Sequence, residues 1–405
     1  MELSLTDNSI NDGARPALDS RRAAVPTLAA GARRLKVLHV GKFYPPHMGG
    51  IETHLQALCG ELCKLADVRV TVASDNRTGS RELLDGVEVT RVPTQFTLAA
   101  APISAGMVAN IRDSGADIVH LHLPNPMAVL AYLASKHRGR LIASYHSDTV
   151  RQRFLGAAFE PFLHAALRRS SAIIAASANY QKSSPVLARY QDRCHVIPYG
   201  IAVDQFQNFD PTAVAQIRKQ YGERLVLAVG RLVYYKGFEY LVRAMTQVNG
   251  NLLIVGDGPL RGKLGDLSAQ LGLGKKVHFA GNVPGDLRPY YHAADIFALP
   301  SVARSEAFGI VQIEAMAAGK PVVNTQLDSG VPYVSLHERT GLTVPPADPD
   351  ALAAALNRLL DQNDLRRSLG QAARARAYQE FSLEAMTSRM MALYEQVAGL
   401  NRTPS

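Results

Sequence analysis

The residues of this chain best suited to chemistry are cations and carboxylates that follow short apolar runs. In GRLVYYKG, Arg231 comes directly after such a run and Lys236 lies five residues later. A guanidinium offers a bidentate fork and an ammonium a mobile point charge. Together they can neutralise a diphosphate and stabilise a leaving group that gains negative charge as its bond breaks. Two solvated loop cations would be spelled the same way. In SEAFGIVQIEAMAAGKPVV, Glu306 precedes Phe308, Gly309 and Ile310, and Glu314 stands eight residues beyond Glu306. Carboxylates so separated reach different parts of one ligand: Glu314 can accept from ribose hydroxyls, and Glu306 can hold a sugar ring near the reacting bond. Gly309 and Ile310 would turn free N–H groups toward phosphate. The simpler alternative for Glu306 is a first-turn carboxylate favoured by the helix dipole. Near the amino end, YPPHMGGIE sets Gly49 and Gly50 at a helix start, where backbone N–H groups can approach an anion. A tight turn without a ligand reads equally well.

Positioning these residues requires a frame of strands and helices. From Leu35 on, short β-branched runs (LKVLHVGKFY, VRVTVASD, VEVTRVPT, DIVHLHLP, RLIASYHS, AIIAAS, HVIPYG) alternate with helical patterns at 52–64, 107–114 and 128–136. Alternation of this kind predicts a parallel sheet covered on both faces. The second half repeats it with RLVLAVGRL, NLLIVGDG, KVHFAGNV, DIFALPS, PVVNTQ and GLTVPP. The expected fold is α/β, with two doubly wound domains facing across a cleft, divided in the polar stretch 204–222. Ligands of open α/β sheets bind beyond the strand carboxyl ends, which places every candidate above on the cleft.

Composition fits that frame. With 405 residues, 47% hydrophobic and 20% charged, the chain is long enough for two domains and too ordinary for a disordered or collagen-like one. Three cysteines (Cys59, Cys63, Cys194) exclude a disulfide scaffold and point to a reducing, cytoplasmic setting. The net charge of +9 is concentrated in residues 1–200, which hold 23 basic and 16 acidic side chains. Without Trp or an aromatic-studded basic run, nucleic acid is not the expected partner, and an anionic membrane surface suits the excess better. No apolar run reaches the length of a spanning helix, and no secretory leader is evident. Residues 1–34, polar and aperiodic, read as a flexible tail.

Taken together, GGIE, VGRLVYYKG, VGDGP, FAGNV and the Glu306–Glu314 segment resemble glycosyltransferase family 4, retaining enzymes of the GT-B fold, over about residues 36–395. The resemblance implies an acceptor-binding Rossmann-like domain at 35–205, a nucleotide-sugar-binding one at 206–380, and a final helix, 381–405, crossing back to the first domain. It assigns Arg231 and Lys236 to the donor diphosphate, Gly50 to its neighbourhood, Glu314 to the ribose and Glu306 to the transferred sugar. Asn282 and Val283 match the loop that reads the base through backbone groups, and His146 the histidine that approaches donor sugar or acceptor. Tyr234-Tyr235 departs from the Pro-Glu pair of many members and resembles bacterial mannosyl- and rhamnosyltransferase-like enzymes of O-antigen, capsule or exopolysaccharide synthesis. GDP-mannose is the first choice of donor, with a UDP-sugar, or a non-catalytic nucleotide-sugar-binding subunit, as the alternatives.

Other chemistries fit less well. GDGPLRG (256–262) is out of register with the nicotinamide fingerprint and does not follow its domain's first strand. Asp348 and Asp350 read as a helix cap, Cys59 and Cys63 as core, and His120 with His122 as two ligands short of a zinc site, so neither metal nor cofactor is expected. The segment 150–170 mixes Phe154, Leu155, Phe159, Phe162, Leu163 and Leu167 with Arg151, Arg153, Arg168 and Arg169. That pattern suits either an amphipathic helix on the inner leaflet of the plasma membrane or a core helix with basic ends. A lipid-linked or saccharide acceptor is expected there.

Overall fold

The structure, a computed structural model, describes residues 33–47, 49–75, 77–98, 101–148 and 153–400. Residues 1–32 of the expected tail, Met48 of the YPPHMGGIE loop and residues 150–152 of the basic segment lie outside the described residues. Arg33 and Arg34, at the end of that tail, bond to Asp117 (2.6 Å) and to the Cys63 carbonyl (2.9 Å).

The strands in chain order are β1 (Lys36–Val40), β2 (Asp67–Ala73), β3 (Ser80–Leu84), β4 (Val87–Val92), β5 (Phe96–Leu98), β6 (Ala101–Ile103), β7 (Ile118–Leu123), β8 (Arg140–Tyr145), β9 (Ala172–Ala175) and β10 (Cys194–Val196). They continue with β11 (Leu225–Val229), β12 (Asn251–Val255), β13 (Val277–Gly281), β14 (Ile296–Leu299), β15 (Val322–Thr325) and β16 (Gly341–Val344). Among the described residues, eight strands form a first sheet in the order β10-β9-β8-β7-β1-β2-β4-β3, parallel except for the β3–β4 pair. A second sheet, parallel throughout, runs β13-β12-β11-β14-β15-β16, and β5 and β6 form a small antiparallel pair. Counted within its domain, the second order is 3-2-1-4-5-6, that of a dinucleotide-type doubly wound sheet. Both sheets are of the type expected from the alternating pattern.

Central strands are buried along their whole length: LVLAV in β11 and IVHLHL in β7 expose nothing appreciable. That is what two covered faces demand, and each fully buried Val, Leu or Ile contributes about 1.5–3 kcal/mol. Each sheet accordingly has two apolar layers, one per face. Helix starts obey local chemistry. Asn125 accepts from Ala128 N ahead of the helix Pro126–Ser135, and Asp348 accepts from Ala351 N ahead of Pro349–Asp361. Asp348 is thus a helix cap, each such bond being worth about 1 kcal/mol.

The last helix, Leu383–Ala398, packs Met386, Met390, Leu393 and Tyr394 into the layer on one face of the first sheet. The crossing is stitched where Ile201 N donates to Phe381 O (2.9 Å) and Leu383 N donates to Ile201 O (3.0 Å). In the helix Arg153–Arg169, Phe159, Leu163 and Leu167 face the first domain's core, whereas Phe162 is 47% exposed beside the exposed Arg168 and Arg169. The side chains of Phe154 and Leu155 lie outside the described residues.

Candidate active site at the strand carboxyl ends

Strand order reverses between β1 and β7 in the first sheet and between β11 and β14 in the second. Crevices open at such switch points. Beyond β11, β12 and β13, a cavity of about 580 Å³ is lined by Arg231, Asp257, Asn282, Val283 and the backbone of Gly230 and Gly256. The structure thus brings Arg231, Asn282 and Val283 onto one cavity. Gly256 is required there: its φ is +129°, and a Cβ would lie 2.2 Å from the Gly230 carbonyl. Arg231 itself is exposed, without an ion pair among the described residues. A second cavity, of about 530 Å³ and lined by Arg33, Lys36 and Asp67, sits at the amino ends of the first sheet's strands. That edge carries no switch-point crevice.

Lys236 and Glu306 meet. Lys236 closes a short 3-10 turn, Tyr234–Lys236, and its Nζ lies 2.6 Å from Glu306 Oε2; the two residues are only 9% and 7% exposed. Ser301 Oγ donates to the same carboxylate oxygen at 3.1 Å. Gly237 permits the approach of the two loops, since its φ is +65° and a Cβ would stand 2.0 Å from the Pro300 carbonyl. Only glycine fits such a position without backbone movement. The desolvated pair holds a cation and an anion in fixed places at the β11–β14 switch point, and a bound diphosphate would compete with Glu306 for Lys236.

Glu314 lies on the helix Ile310–Ala317, whose N-cap is Gly309 (φ +75°). Burial pushes the Glu314 carboxyl above its usual range, against a hydrogen bond from the Tyr291 hydroxyl and the field of Lys236. Tyr291 occupies one carboxylate oxygen and leaves the other for a ligand. Phe308 is 2% exposed and packs against Tyr199 and Phe381, so only its backbone is placed to meet a ligand. Ile310 is partly buried against the same core.

In the first domain, Gly49 caps the helix Gly50–Leu62 without a side-chain bond, and the Glu52 carboxylate folds back over it. Nothing lies within 4 Å of where a Cβ of Gly50 would be. His146, just past β8, is buried, and both its ring nitrogens are engaged: Nδ1 with the Tyr199 hydroxyl (2.7 Å) and Nε2 with His122 Nδ1 (3.0 Å). His39, His54, His120 and His122 complete a histidine layer that the sequence reading did not assemble. Burial drives His39 down to about 3 and His54 to about 4, and holds His120, His122 and His146 well below the usual histidine value. All five rings are therefore neutral at pH 7. Two trios, His39–His120–His122 and His54–His122–His146, bring ring nitrogens within 4.8 Å of one another, close enough to ligate a metal. The nitrogens of His39, His120, His122 and His146 are instead joined in hydrogen bonds to protein groups.

The two domains touch at the rim. Arg304, two residues before Glu306, lies 3.4 Å from Asp148 and donates to the Ser183 carbonyl at 3.1 Å.

Two family models divide the chain at the same place as its two sheets. "Glycosyltransferase Family 4" matches residues 48–205, and "Glycosyl transferases group 1" matches residues 210–376. The chain is 32% identical over 353 residues to D-rhamnosyltransferase WbpZ of Pseudomonas aeruginosa, covering 86% of this chain and 92% of that protein. The chain belongs to glycosyltransferase family 4.

Another relative of this transferase is the GDP-mannose-dependent alpha-(1-6)-phosphatidylinositol monomannoside mannosyltransferase of Mycolicibacterium smegmatis, 30% identical over 381 residues, 88% of this chain and 97% of that one. The fold of this chain matches the crystal structure of Anabaena HepE in complex with UDP, with a TM-score of 0.72 at 22% identity over 89% of this chain and 100% of the other. The transferase therefore has the GT-B architecture. The sequence reading missed Tyr291, Ser301, His39, His54, Tyr199 and Tyr394. A usable signal existed for His39 and for His120 with His122: imidazoles inside the otherwise apolar stretches VLHV and IVHLHL.

Proposed function

We propose that this hexosyltransferase moves mannose from GDP-mannose, with retention at the anomeric carbon, to a lipid-linked or saccharide acceptor in the synthesis of a bacterial cell-surface polysaccharide. One observation carries the reading: Arg231, Asn282 and Val283 share a cavity beside the Lys236–Glu306 pair at a topological switch point. The names of the two relatives, one rhamnosyl and one GDP-mannose-dependent with a lipid acceptor, support the sugar class, the donor base and the acceptor class.

In the proposed step the bond from the anomeric carbon to the diphosphate oxygen breaks, and the acceptor oxygen bonds to that carbon from the same face. The acceptor proton passes to the departing phosphate. Double displacement would need a carboxylate nucleophile about 5 Å from the acid–base group. Glu306, held by Lys236 and Ser301, supports the sugar instead of attacking it. Arg231 and Lys236 take up the charge that develops on the diphosphate, with no metal in the proposal. The exposed Phe162 with Arg168 and Arg169 supports contact with an anionic inner leaflet.

The test is thermal unfolding with GDP, UDP and ADP, each with and without EDTA. A nucleotide at a hundredfold excess over its dissociation constant stabilises by about 2.7 kcal/mol. Selective, EDTA-insensitive stabilisation by GDP, with turnover of GDP-mannose above that of UDP-sugars, is the expected result. Stabilisation by UDP alone overturns the donor, full loss of activity in EDTA overturns metal independence, and failure to bind anionic liposomes at low salt removes the membrane.

A further inference from the structure

The face of the first sheet covered by the helices Gly50–Leu62 and Leu383–Ala398 carries a polar layer inside an apolar core. Side chains alternate along strands, so His39 of β1, His120 and His122 of β7, and Ser144 of β8, with His146 just beyond it, all emerge on that face. They form one unbranched series of hydrogen bonds. Tyr199 OH meets His146 Nδ1 (2.7 Å), and His146 Nε2 meets His122 Nδ1 (3.0 Å). His122 Nε2 meets His39 Nδ1 (3.0 Å), and His39 Nε2 meets Tyr394 OH (3.3 Å). Tyr394 OH meets His120 Nδ1 (2.6 Å), and His120 Nε2 meets Ser144 Oγ (2.8 Å).

A neutral imidazole has one N–H and one acceptor nitrogen, and a hydroxyl has one proton to give. Every link therefore dictates the next. If Tyr199 donates to His146, the rings of His146, His122, His39 and His120 must all carry their proton on Nε2, with Tyr394 donating to His120. If Ser144 donates to His120, all four must carry it on Nδ1, with Tyr394 donating to His39. A change of tautomer between neighbouring rings leaves two donors or two acceptors facing each other, and a change across Tyr394 leaves either its hydroxyl proton without an acceptor or one ring nitrogen without a donor, in a dry interior.

The geometry points to a single coupled tautomer for these four histidines, with Tyr394 of the last helix and His120 of β7 as positioning residues that set whether Tyr199 turns its hydroxyl proton inward to His146 or keeps it for the cleft. The cleft end is concrete: Tyr199 also packs edge-on against Phe308 of the donor-binding segment, ring centroids 4.9 Å apart. The low proton affinity of the buried rings keeps the series neutral and hence directional. The significance for sugar transfer rests on the transferase reading, but the coupling does not.

The experiment uses the full chain labelled with 15N-histidine and reads each ring's tautomer from its two nitrogen shifts, without donor or acceptor. In the wild type, His39, His120, His122 and His146 are expected to share one tautomer. Tyr394→Phe cuts the series in two. Because a buried N–H without an acceptor is rarer than an acceptor without a donor, His39, His122 and His146 should then carry Nδ1–H and His120 should carry Nε2–H. Ser144→Ala, which spares the aromatic packing, should leave all four as Nδ1–H. Mixed tautomers in the wild type, four identical rings in Tyr394→Phe, or an Nε2–H ring in Ser144→Ala each overturn the coupling. So does one equivalent of a transition metal in the purified protein. Absence of sugar transfer by the wild type, with the tautomer pattern as expected, would instead count against the transferase reading and leave the coupling standing.

Discussion

The two halves of the cleft solve the burial of polar groups in opposite ways. On the first-domain side, neutral rings are joined to one another and to hydroxyls, with nearly every donor and acceptor used inside the protein. On the second-domain side, full charges stand at the cleft: Lys236 against Glu306, and Arg231 exposed at the cavity. A closed neutral network resists change, whereas a buried ion pair is held at a desolvation cost that an anionic ligand can relieve. The contrast teaches that rigidity was built on one side and charge readiness on the other.

The sharpest way to break the comparison is Lys236→Ala. It should lower kcat/KM by at least about 10²–10³-fold, and should cost roughly 3–5 kcal/mol of stability because Glu306 is left buried and unpaired. Steady-state kinetics and urea unfolding check both. Adding Glu306→Leu to Lys236→Met should restore stability and leave activity lost; continued instability would mean that the charges are not the cause. The neutral side should reveal itself through pH. Histidines held at about 3 and about 4 in the folded state, against 6.5 unfolded, bind fewer protons folded than unfolded over that window. Stability should then be complete above pH 6.5 and fall as pH drops below it, by about 1.4 kcal/mol per pH unit for each proton taken up. Urea midpoints from pH 8 to 5 would show the slope, and a slope below one proton would contradict neutral burial.

Gly237→Ala tests how the loops of the charged side are held together, through a left-handed φ and a Cβ 2.0 Å from a carbonyl. A loss of about 1–3 kcal/mol is expected by thermal unfolding. Tyr291→Phe should weaken nucleotide binding by about tenfold, roughly 1.4 kcal/mol, since Glu314 loses the hydroxyl that orients it; calorimetric titration measures it. Smallest of all, Arg304→Ala should change stability by less than about 1 kcal/mol, and less in high salt, because its contact with Asp148 is partly solvated.

The parallel strands of both sheets and several helices were legible because their cause is local, whereas β3, β5 and β6 were not among the runs read as strands. Runs such as LVLAV and caps such as Asp348 carry their signals within a few residues. Family membership was legible because several short motifs recur in order. The pairing of Lys236 with Glu306 was not, since the sequence reading gave them to different parts of a ligand and only the β11–β14 adjacency brings them together. The histidine layer was still less so: His120 and Tyr394 are separated by 274 positions. Nothing in a buried strand motif tells which distant helix will cover it. The basic helix Arg153–Arg169 was read two ways, and its described inner residues Phe159, Leu163 and Leu167 favour the core on that face.

The return of the last helix to the first domain makes that domain discontinuous along the chain. During synthesis, its sheet leaves the ribosome with one face waiting for Met386, Met390, Leu393 and Tyr394, which arrive only after the entire second domain has been made. Until then an apolar groove, with His39 and His120 unsatisfied at its floor, stands open to water and to other chains. The nascent protein therefore stays vulnerable to aggregation until it is nearly complete, and a truncation of the sixteen-residue helix Leu383–Ala398 would disturb the domain encoded by the opposite half of the chain.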